Sequence, residues 1–343
     1  MKRWQFWVGL VISLACLYFL FAKQDWGTLW NSLRDAQYLW LIPGIGVYFV
    51  GVAVRAWRLH YMMRPIKKVP IPSLFRVICI SYMGNNIYPA RAGELLLRPY
   101  LIRAKEGVSF SASLAIVIVE RTFDAVVMML FIFVNLPELA RLGSGDSGVA
   151  GSIQQFALYG TILFFGALVV FILAAMFPAV TARAVTWSVG HLCPVRFREK
   201  LSGLADRFLE GLACLRSPHD AVMILFTSIL IWLLETGKYW FLMQGFAFTI
   251  SFFALMLTNG IANLITIIPS APGYIGTFEA AGVAVLEAYG VDTAVAAAYT
   301  VVLHAALWLP ITVLGAWFFM REGLSLSDVR EKVQKEQPAA GGG

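Results

Sequence analysis

Two clusters of ionisable residues stand inside apolar sequence. Arg91, Glu94 and Arg98 are spaced by three and four, so on a helix they share one face. Glu120, Arg121 and Asp124 follow within the apolar run 110–136. An ionisable side chain at the centre of a membrane span costs about 2.5–3.5 kcal/mol on insertion scales. Six such groups therefore need one another or a wet cavity. Two readings follow. In one, three arginines, two glutamates and an aspartate neutralise each other and lock two segments together. In the other, some of the arginines face a cavity and meet an anion. Arginine suits phosphate because its planar fork donates two parallel hydrogen bonds. On the second reading the binding residues are Arg91, Glu94, Arg98 and Arg121, with Asn85 and Asn86 beside them and Glu279 farther along.

The second half of the chain has fewer charges. Glu235 and Lys238 are three apart and are expected to pair. His304 lies deep in the last apolar run. A lone histidine there is more often structural, yet its ordinary titration range fits proton coupling. Glu120, Asp124 and His304 are the candidates for carrying protons. Tyr88, Tyr274 and Tyr299 read as packing residues. The histidines His60, His191, His219 and His304 show no metal-ligand spacing, and no C-x-x-C pair, P-loop or dinucleotide motif occurs. No cofactor, metal or nucleic acid is expected.

These residues are held by an apolar framework. Of 343 residues, 59% are hydrophobic and 14% charged, against roughly 25% charged in soluble domains. Six runs, about 4–22, 39–60, 110–136, 153–177, 221–244 and 294–320, approach or exceed the roughly 20 residues that cross a bilayer core. Two further stretches, 73–104 and 251–288, are broken by Pro and Gly: Pro89 to Gly93 in one, Pro269 to Gly273 in the other. Half-helices joined by irregular backbone are tolerated at membrane depth only when buried in protein or lining a wet cavity. Both stretches therefore read as re-entrant hairpins.

The net charge of +7 reads as topology signalling, with contact to anionic lipid headgroups as a second reading. Lys2 and Arg3 place the N-terminus inside, and the neutral 23–38 loop lies outside. Arg55, Arg58, Arg64, Lys67 and Lys68 mark the next loop as cytoplasmic, as do the basic residues of the 178–220 loop. Residues 196–216 fit either an amphipathic surface helix or a solvated connector. Both broken stretches carry Gly, Asn, Pro and Glu in similar order, ending in Gly107-Val108 and Gly290-Val291. Each half then has three spans and a hairpin, so the second half lies upside down relative to the first. The expected fold is an all-α polytopic membrane protein of about six spanning helices plus two re-entrant hairpins arranged as inverted repeats. Residues 1–137 form the first repeat, 138–320 the second, and 321–343 a cytoplasmic tail.

The string Arg91-Ala-Gly-Glu94-Leu-Leu-Leu-Arg98, with Glu120-Arg121-Thr-Phe-Asp124 and Pro269-Ser-Ala-Pro-Gly273-Tyr-Ile-Gly276-Thr-Phe-Glu279, resembles the lysylphosphatidylglycerol synthase transmembrane family of flippase-like proteins. It includes the membrane half of multiple peptide resistance factor proteins. The resemblance covers about residues 5–320. It implies movement of an anionic or phosphate-bearing lipid between leaflets of a bacterial cytoplasmic membrane, with both termini inside. About 23 residues follow the last span, so the aminoacyl-transferring domain of two-domain members is not expected and neither is enzymatic activity. Two departures stand out: Tyr274 where a second Gly is expected, and His304 where Arg is expected. A membrane enzyme acting on a lipid phosphate and a small-solute secondary transporter are the competing readings. The oligomeric state is not encoded in these features.

Overall fold

Apolar side chains cover the outside of this molecule. Trp7, Val11, Leu14, Tyr18 and Phe19 project from the first helix, and Leu309, Val313, Trp317 and Met320 from the last, all largely exposed. Arg58, Arg98, Glu120 and Asp124 are buried. That distribution reverses the rule for water-soluble folds, where charged residues are almost never fully buried unless paired. It is the arrangement expected of a chain whose outer solvent is hydrocarbon.

The computed structural model describes residues 3–22, 24–88, 91–135, 214–215, 217–265 and 270–323, with isolated positions between 162 and 187. The expected span 153–177, most of the 178–220 loop, the 137–152 loop and nearly all of the tail lie outside the described residues. Among those described, the fold is all-helical with no strand. In chain order the helices are α1 (Arg3–Phe21), α2 (Trp26–Asp35), α3 (Leu41–Met63), α4 (Ile71–Ile87), α5 (Arg98–Glu106) and α6 (Phe110–Val134). Then come α7 (Pro218–Met243), α8 (Phe252–Ile265), α9 (Thr277–Ala288) and α10 (Thr293–Arg321). A π-helical turn at Gly93–Leu97 leads into α5, and a 3₁₀ turn at Pro272–Tyr274 precedes α9.

Three stretches, Tyr38–Met63, Pro218–Met243 and Thr293–Arg321, are long and apolar enough to cross a membrane. The α1–α2 pair is apolar enough as a unit but bends by 93° at the break. The 23–38 segment was expected to be a plain loop. It holds a ten-residue helix because the Asp25 carboxylate accepts the Gly27 and Thr28 amides and caps it. Helix α6 has 25 residues, about 37 Å at 1.5 Å per residue, and carries Glu120, Arg121 and Asp124 within it.

In both broken stretches the described segments on either side of the break pack together. Residues 89–90 and 266–269, with Pro89 and Pro269, lie outside the described residues. On the first stretch, Gly93 lies against α4 so closely that a Cβ would come within 1.8 Å of the Ser81 carbonyl oxygen. In the second, α8 packs on α9. Among the described residues, each break holds one non-glycine residue in the left-handed region, Arg91 at φ 52° and Tyr274 at φ 63°.

Helix α3 packs along α7. Around this pair α4 packs on α10 and α8 on α6, so each broken stretch leans on a long helix distant in sequence. One apolar core gathers around α3, α4, α5 and α6, with Met62, Ile78 and Leu101 fully buried in it. A second gathers around α7, α8, α9 and α10. Helix α5 ends on Gly107 at φ 69°, with open space where a Cβ would stand. Gly107→Ala should therefore cost only the left-handed backbone, about 1 kcal/mol. A small drop in thermal midpoint in detergent would show it, and no drop would mean that the turn relaxes.

Candidate functional site

The site is built on arginines that the apolar sequence around them disguises. Arg55 and Arg58 stand within α3, not in a loop, and both are buried. Arg58, with 0% side-chain exposure, donates to Asp124 Oδ1 and Glu120 Oε1, each at 2.6 Å, and to the Ser228 hydroxyl at 2.9 Å. Arg55 donates to Glu235 Oε1 at 2.9 Å, and Lys238 contacts the other oxygen of the same carboxylate. The expected Glu235–Lys238 pair is present and gains a third member. These contacts correct the topological reading of Arg55 and Arg58 as cytoplasmic loop charges; Arg64, Lys67 and Lys68 alone follow the helix end. A charge two turns before a helix end reads as a flank in sequence. Only the packing of α3 on α7, with α6 alongside, shows where it goes.

The first broken stretch brings in two more arginines, Arg91 and Arg98, and α6 brings a third, Arg121. The six-charge cluster does form, although no single helix carries its first part. Arg91 sits in the break, and Glu94 on the π turn. Glu94 accepts from Arg121 at 2.7 Å, with Arg98 at 3.6 Å and Arg91 at 3.9 Å. Arg98 donates to Glu120 at 2.5 Å, and Arg121 lies 3.2 Å from Asp124. Arg58, which neither reading included, joins the set. Among the described residues, Arg58, Arg91, Arg98 and Arg121 share three carboxylates, Glu94, Glu120 and Asp124. Arg55 and Lys238 share one, Glu235.

A cavity of about 160 Å³ is lined by members of both groups: Arg55, Glu235 and Lys238 with Arg91, Glu94 and Arg121. That is many times the ~10–15 Å³ one water requires. The side chains of Arg91 and Arg121 are 24% and 32% exposed, so an incoming group can reach them. Arg98 at 1% exposure, Glu120 and Asp124 lie behind the wall in ion pairs. Asn85 and Asn86 line the cavity but also brace it. Asn85 Oδ1 accepts the Glu94 amide at 3.1 Å, and Asn86 Nδ2 donates to Trp308 O and Thr312 Oγ1.

The second break supplies the remaining wall. Tyr274, expected as a packing residue, lines the cavity, with the Arg91 guanidinium 6.0 Å from its ring centre. Its φ of 63° explains why this position favours glycine. Tyr299 is buried and donates to Tyr239 O, as a packing residue should; Tyr88 is partly exposed. His304 lines the cavity and faces oxygen on both sides: Glu279 Oε1 at 2.5 Å from Nδ1 and Gly273 O at 2.8 Å from Nε2. Nε2 must donate to the carbonyl, so one proton is held between Nδ1 and the carboxylate. The pair is neutral overall, with the proton on either partner. Glu279 sits behind His304, where its other oxygen accepts the Gly276 amide at 2.7 Å. Trp308 Nε1, also on the wall, has no hydrogen-bond partner among the described residues.

The chain is 26% identical over 336 residues to a protein named glycosyltransferase AglD of Haloferax volcanii, matching 90% of this chain and 52% of that one. It therefore spans about half the length of that relative. A UPF0104 membrane protein of Methanothermobacter thermautotrophicus is 25% identical over 93% of this chain and 95% of its own. A UPF0104 membrane protein of Pyrococcus horikoshii is 24% identical over 82% of this chain and 87% of its own. No solved structure matches significantly. The family described as "Lysylphosphatidylglycerol synthase TM region" matches residues 6–315, nearly the whole chain. This membrane protein belongs to the lysylphosphatidylglycerol synthase transmembrane-region family.

Proposed function

We propose that the protein moves a lipid with an anionic, phosphate-bearing headgroup between leaflets of the cytoplasmic membrane, as a flippase or scramblase and without chemical conversion. One observation carries this reading: a cationic cavity with reachable Arg91 and Arg121, inside a body whose outer surface is apolar. A charged headgroup cannot enter hydrocarbon unaided, because losing its water is costly. The arginine forks replace that water around phosphate while the tails stay in lipid.

Regular spacing between the two halves supports both this reading and an inverted-repeat plan. Arg91 and Tyr274, Gly93 and Gly276, Gly107 and Gly290, and Arg121 and His304 are each 183 residues apart. The first pair shares positive φ, and so does the pair Gly107 and Gly290. Arg121 meets Glu94 in one half as His304 meets Glu279 in the other. The reciprocal packing of α4 on α10 and α8 on α6 fits a two-fold relation. Two hairpins entering from opposite leaflets and meeting at a central site is a recurring transporter plan. The Glu279–His304 pair, holding one mobile proton at the wall, is the best placed for coupling to a proton gradient. Glu120 and Asp124 hold their charges in sealed ion pairs.

The test is leaflet exchange in proteoliposomes carrying lipids with a fluorescent headgroup label. A membrane-impermeant reductant quenches about half the signal in protein-free vesicles. With the protein present, quenching should approach completion for an anionic lipid. Half-quenching for every lipid tried, or a chemically altered lipid, removes the proposal.

A further inference from the structure

Helix α1 meets the second broken stretch closely at its middle. The Ser13 hydroxyl accepts the Ala271 amide at 2.8 Å. A Cβ at Gly276, the residue before α9, would come within 2.5 Å of the Ser13 carbonyl oxygen. The same two helices line a groove of about 680 Å³. Ile12, Cys16 and Phe19 contribute from α1, and Ala280, Val283 and Ala284 from α9. These residues recur at intervals of three and four, so one stripe of each helix forms the lining. A volume of about 300–1,000 Å³ with mostly apolar lining and few polar groups is the pattern of a small-molecule site. No residue of this groove also lines the arginine cavity.

One polar side chain of the lining lacks partners. Gln24 is 8% exposed, and neither its Nε2 nor its Oε1 has a hydrogen-bond partner among the described residues. A buried amide left unpaired is costly. Gln24 stands between α1 and α2, where the chain bends by 93°. Trp26 and Trp30 of α2 are largely exposed. Tryptophan gathers at the membrane–water interface, so α2 lies along that surface. Gln24 is then at the depth of lipid ester groups, and the α1 stripe runs from it into hydrocarbon. From Leu20 back to Ile12 the helix rises about 12 Å, a length suited to an acyl chain.

We infer that this groove holds one membrane glycerophospholipid, with an acyl chain along α1 and α9 and its ester oxygen bonded by the Gln24 amide. The headgroup follows from charge. Among the described residues, Glu287 is the one charged member of the lining, and the Thr293 hydroxyl donates to it. A carboxylate there attracts an ammonium and repels a net anionic headgroup. The occupant is therefore an amine-bearing, net-neutral lipid such as phosphatidylethanolamine. Its chain fastens α1 to α9, the helix that carries Glu279. The site does not depend on the lipid-moving reading, whose cargo is anionic and whose cavity is elsewhere.

The experiment uses phosphatidylethanolamine carrying a photoactivatable diazirine on one acyl chain. The full chain is reconstituted with it in bilayers, irradiated, and its adducts mapped by peptide mass spectrometry. Adducts on 12–20 and 280–287 should exceed those on the exposed α10 face, Leu309 to Trp317, at least fivefold. Ala284→Trp fills the groove and should bring its adducts down to the α10 level. Gln24→Leu should lower them at least threefold. The same probe with a phosphatidylglycerol headgroup should label the groove at least threefold less. Equal labelling of the groove and α10 means only ordinary surrounding lipid and overturns the inference. So do groove adducts that persist in a folded Ala284→Trp protein. Should Ala284→Trp not fold, Ala15→Trp fills the same groove from α1 and must give the same fall. Unchanged labelling in Gln24→Leu removes the ester contact, and equal labelling by both headgroups removes the charge assignment. A protein that runs as a dimer with its groove unlabelled gives the site to a second copy and overturns the lipid. Arg91→Ala should leave groove labelling unchanged, so loss of leaflet exchange and loss of this site are told apart.

Discussion

Arg58→Ala should leave little folded protein in the membrane. The Arg58 side chain has no exposure and bonds two carboxylates at 2.6 Å, one on each side of its fork. Removing it leaves Asp124 with only Arg121 at 3.2 Å and the Trp232 Nε1 at 3.2 Å, and deprives Glu120 of its α3 partner. Breaking a buried ion pair by deleting one member costs about 3–5 kcal/mol. Stabilities of ordinary domains total only about 5–15 kcal/mol. The readout is the monodisperse fraction on gel filtration in mild detergent. A paired control isolates the cause. Arg58→Met with Asp124→Asn removes one charge of each sign and leaves Glu120 bonded to Arg98. Most of the folded protein should return. If Arg58→Ala alone runs like the unaltered protein, the cluster does not hold α3 to α6.

Arg91→Ala should do the reverse: keep the fold and abolish lipid movement. Arg91 stands at the rim of the charge cluster, 3.9 Å from Glu94, while Arg98 and Arg121 also serve that carboxylate. Alanine at φ 52° bears a backbone cost similar to that of arginine, so stability should change by no more than about 1 kcal/mol. Leaflet exchange should drop at least tenfold, towards the protein-free rate. Arg91→Lys keeps the charge and loses the planar fork, and should recover only part of the rate. Glu94→Ala differs, because it removes the carboxylate that Arg91, Arg98 and Arg121 all approach, and it should lose folded protein as well. Normal exchange by a folded Arg91→Ala protein would remove the headgroup role of this wall.

Much of this was legible in the sequence because membrane chains obey few rules strictly. Hydrocarbon demands satisfied backbone, so the runs at 39–60, 110–136, 221–244 and 294–320 became α3, α6, α7 and α10 within a few residues. Pro and Gly marked both breaks. The pairing of Glu235 with Lys238 followed from helical spacing alone. The residues that escaped did so for physical reasons. Arg55 and Arg58 sit near the end of an apolar run, where a basic residue ordinarily reports orientation. Their burial is a property of helix packing that one helix cannot display. Tyr274 stood out as a departure from glycine, but its place on the cavity wall escaped, because the sign of φ is written in no side chain. Glu279 was placed with the binding residues by its motif. The fold puts His304 between it and the cavity, so its part is to hold the imidazole.

The order of the charges along the chain has a consequence for biosynthesis. Arg55, Arg58, Arg91 and Arg98 all leave the ribosome before Glu120, Asp124 and Glu235. Helix α6 would enter lipid alone at a penalty of about 2.5–3.5 kcal/mol for each of its three ionisable residues. When it emerges, the guanidinium groups that neutralise it are already made. Partition into the bilayer and docking onto α3 then become a single event at the insertion machinery. Partners synthesised first act in the way of an internal chaperone, and the later helix is never required to be soluble in lipid by itself.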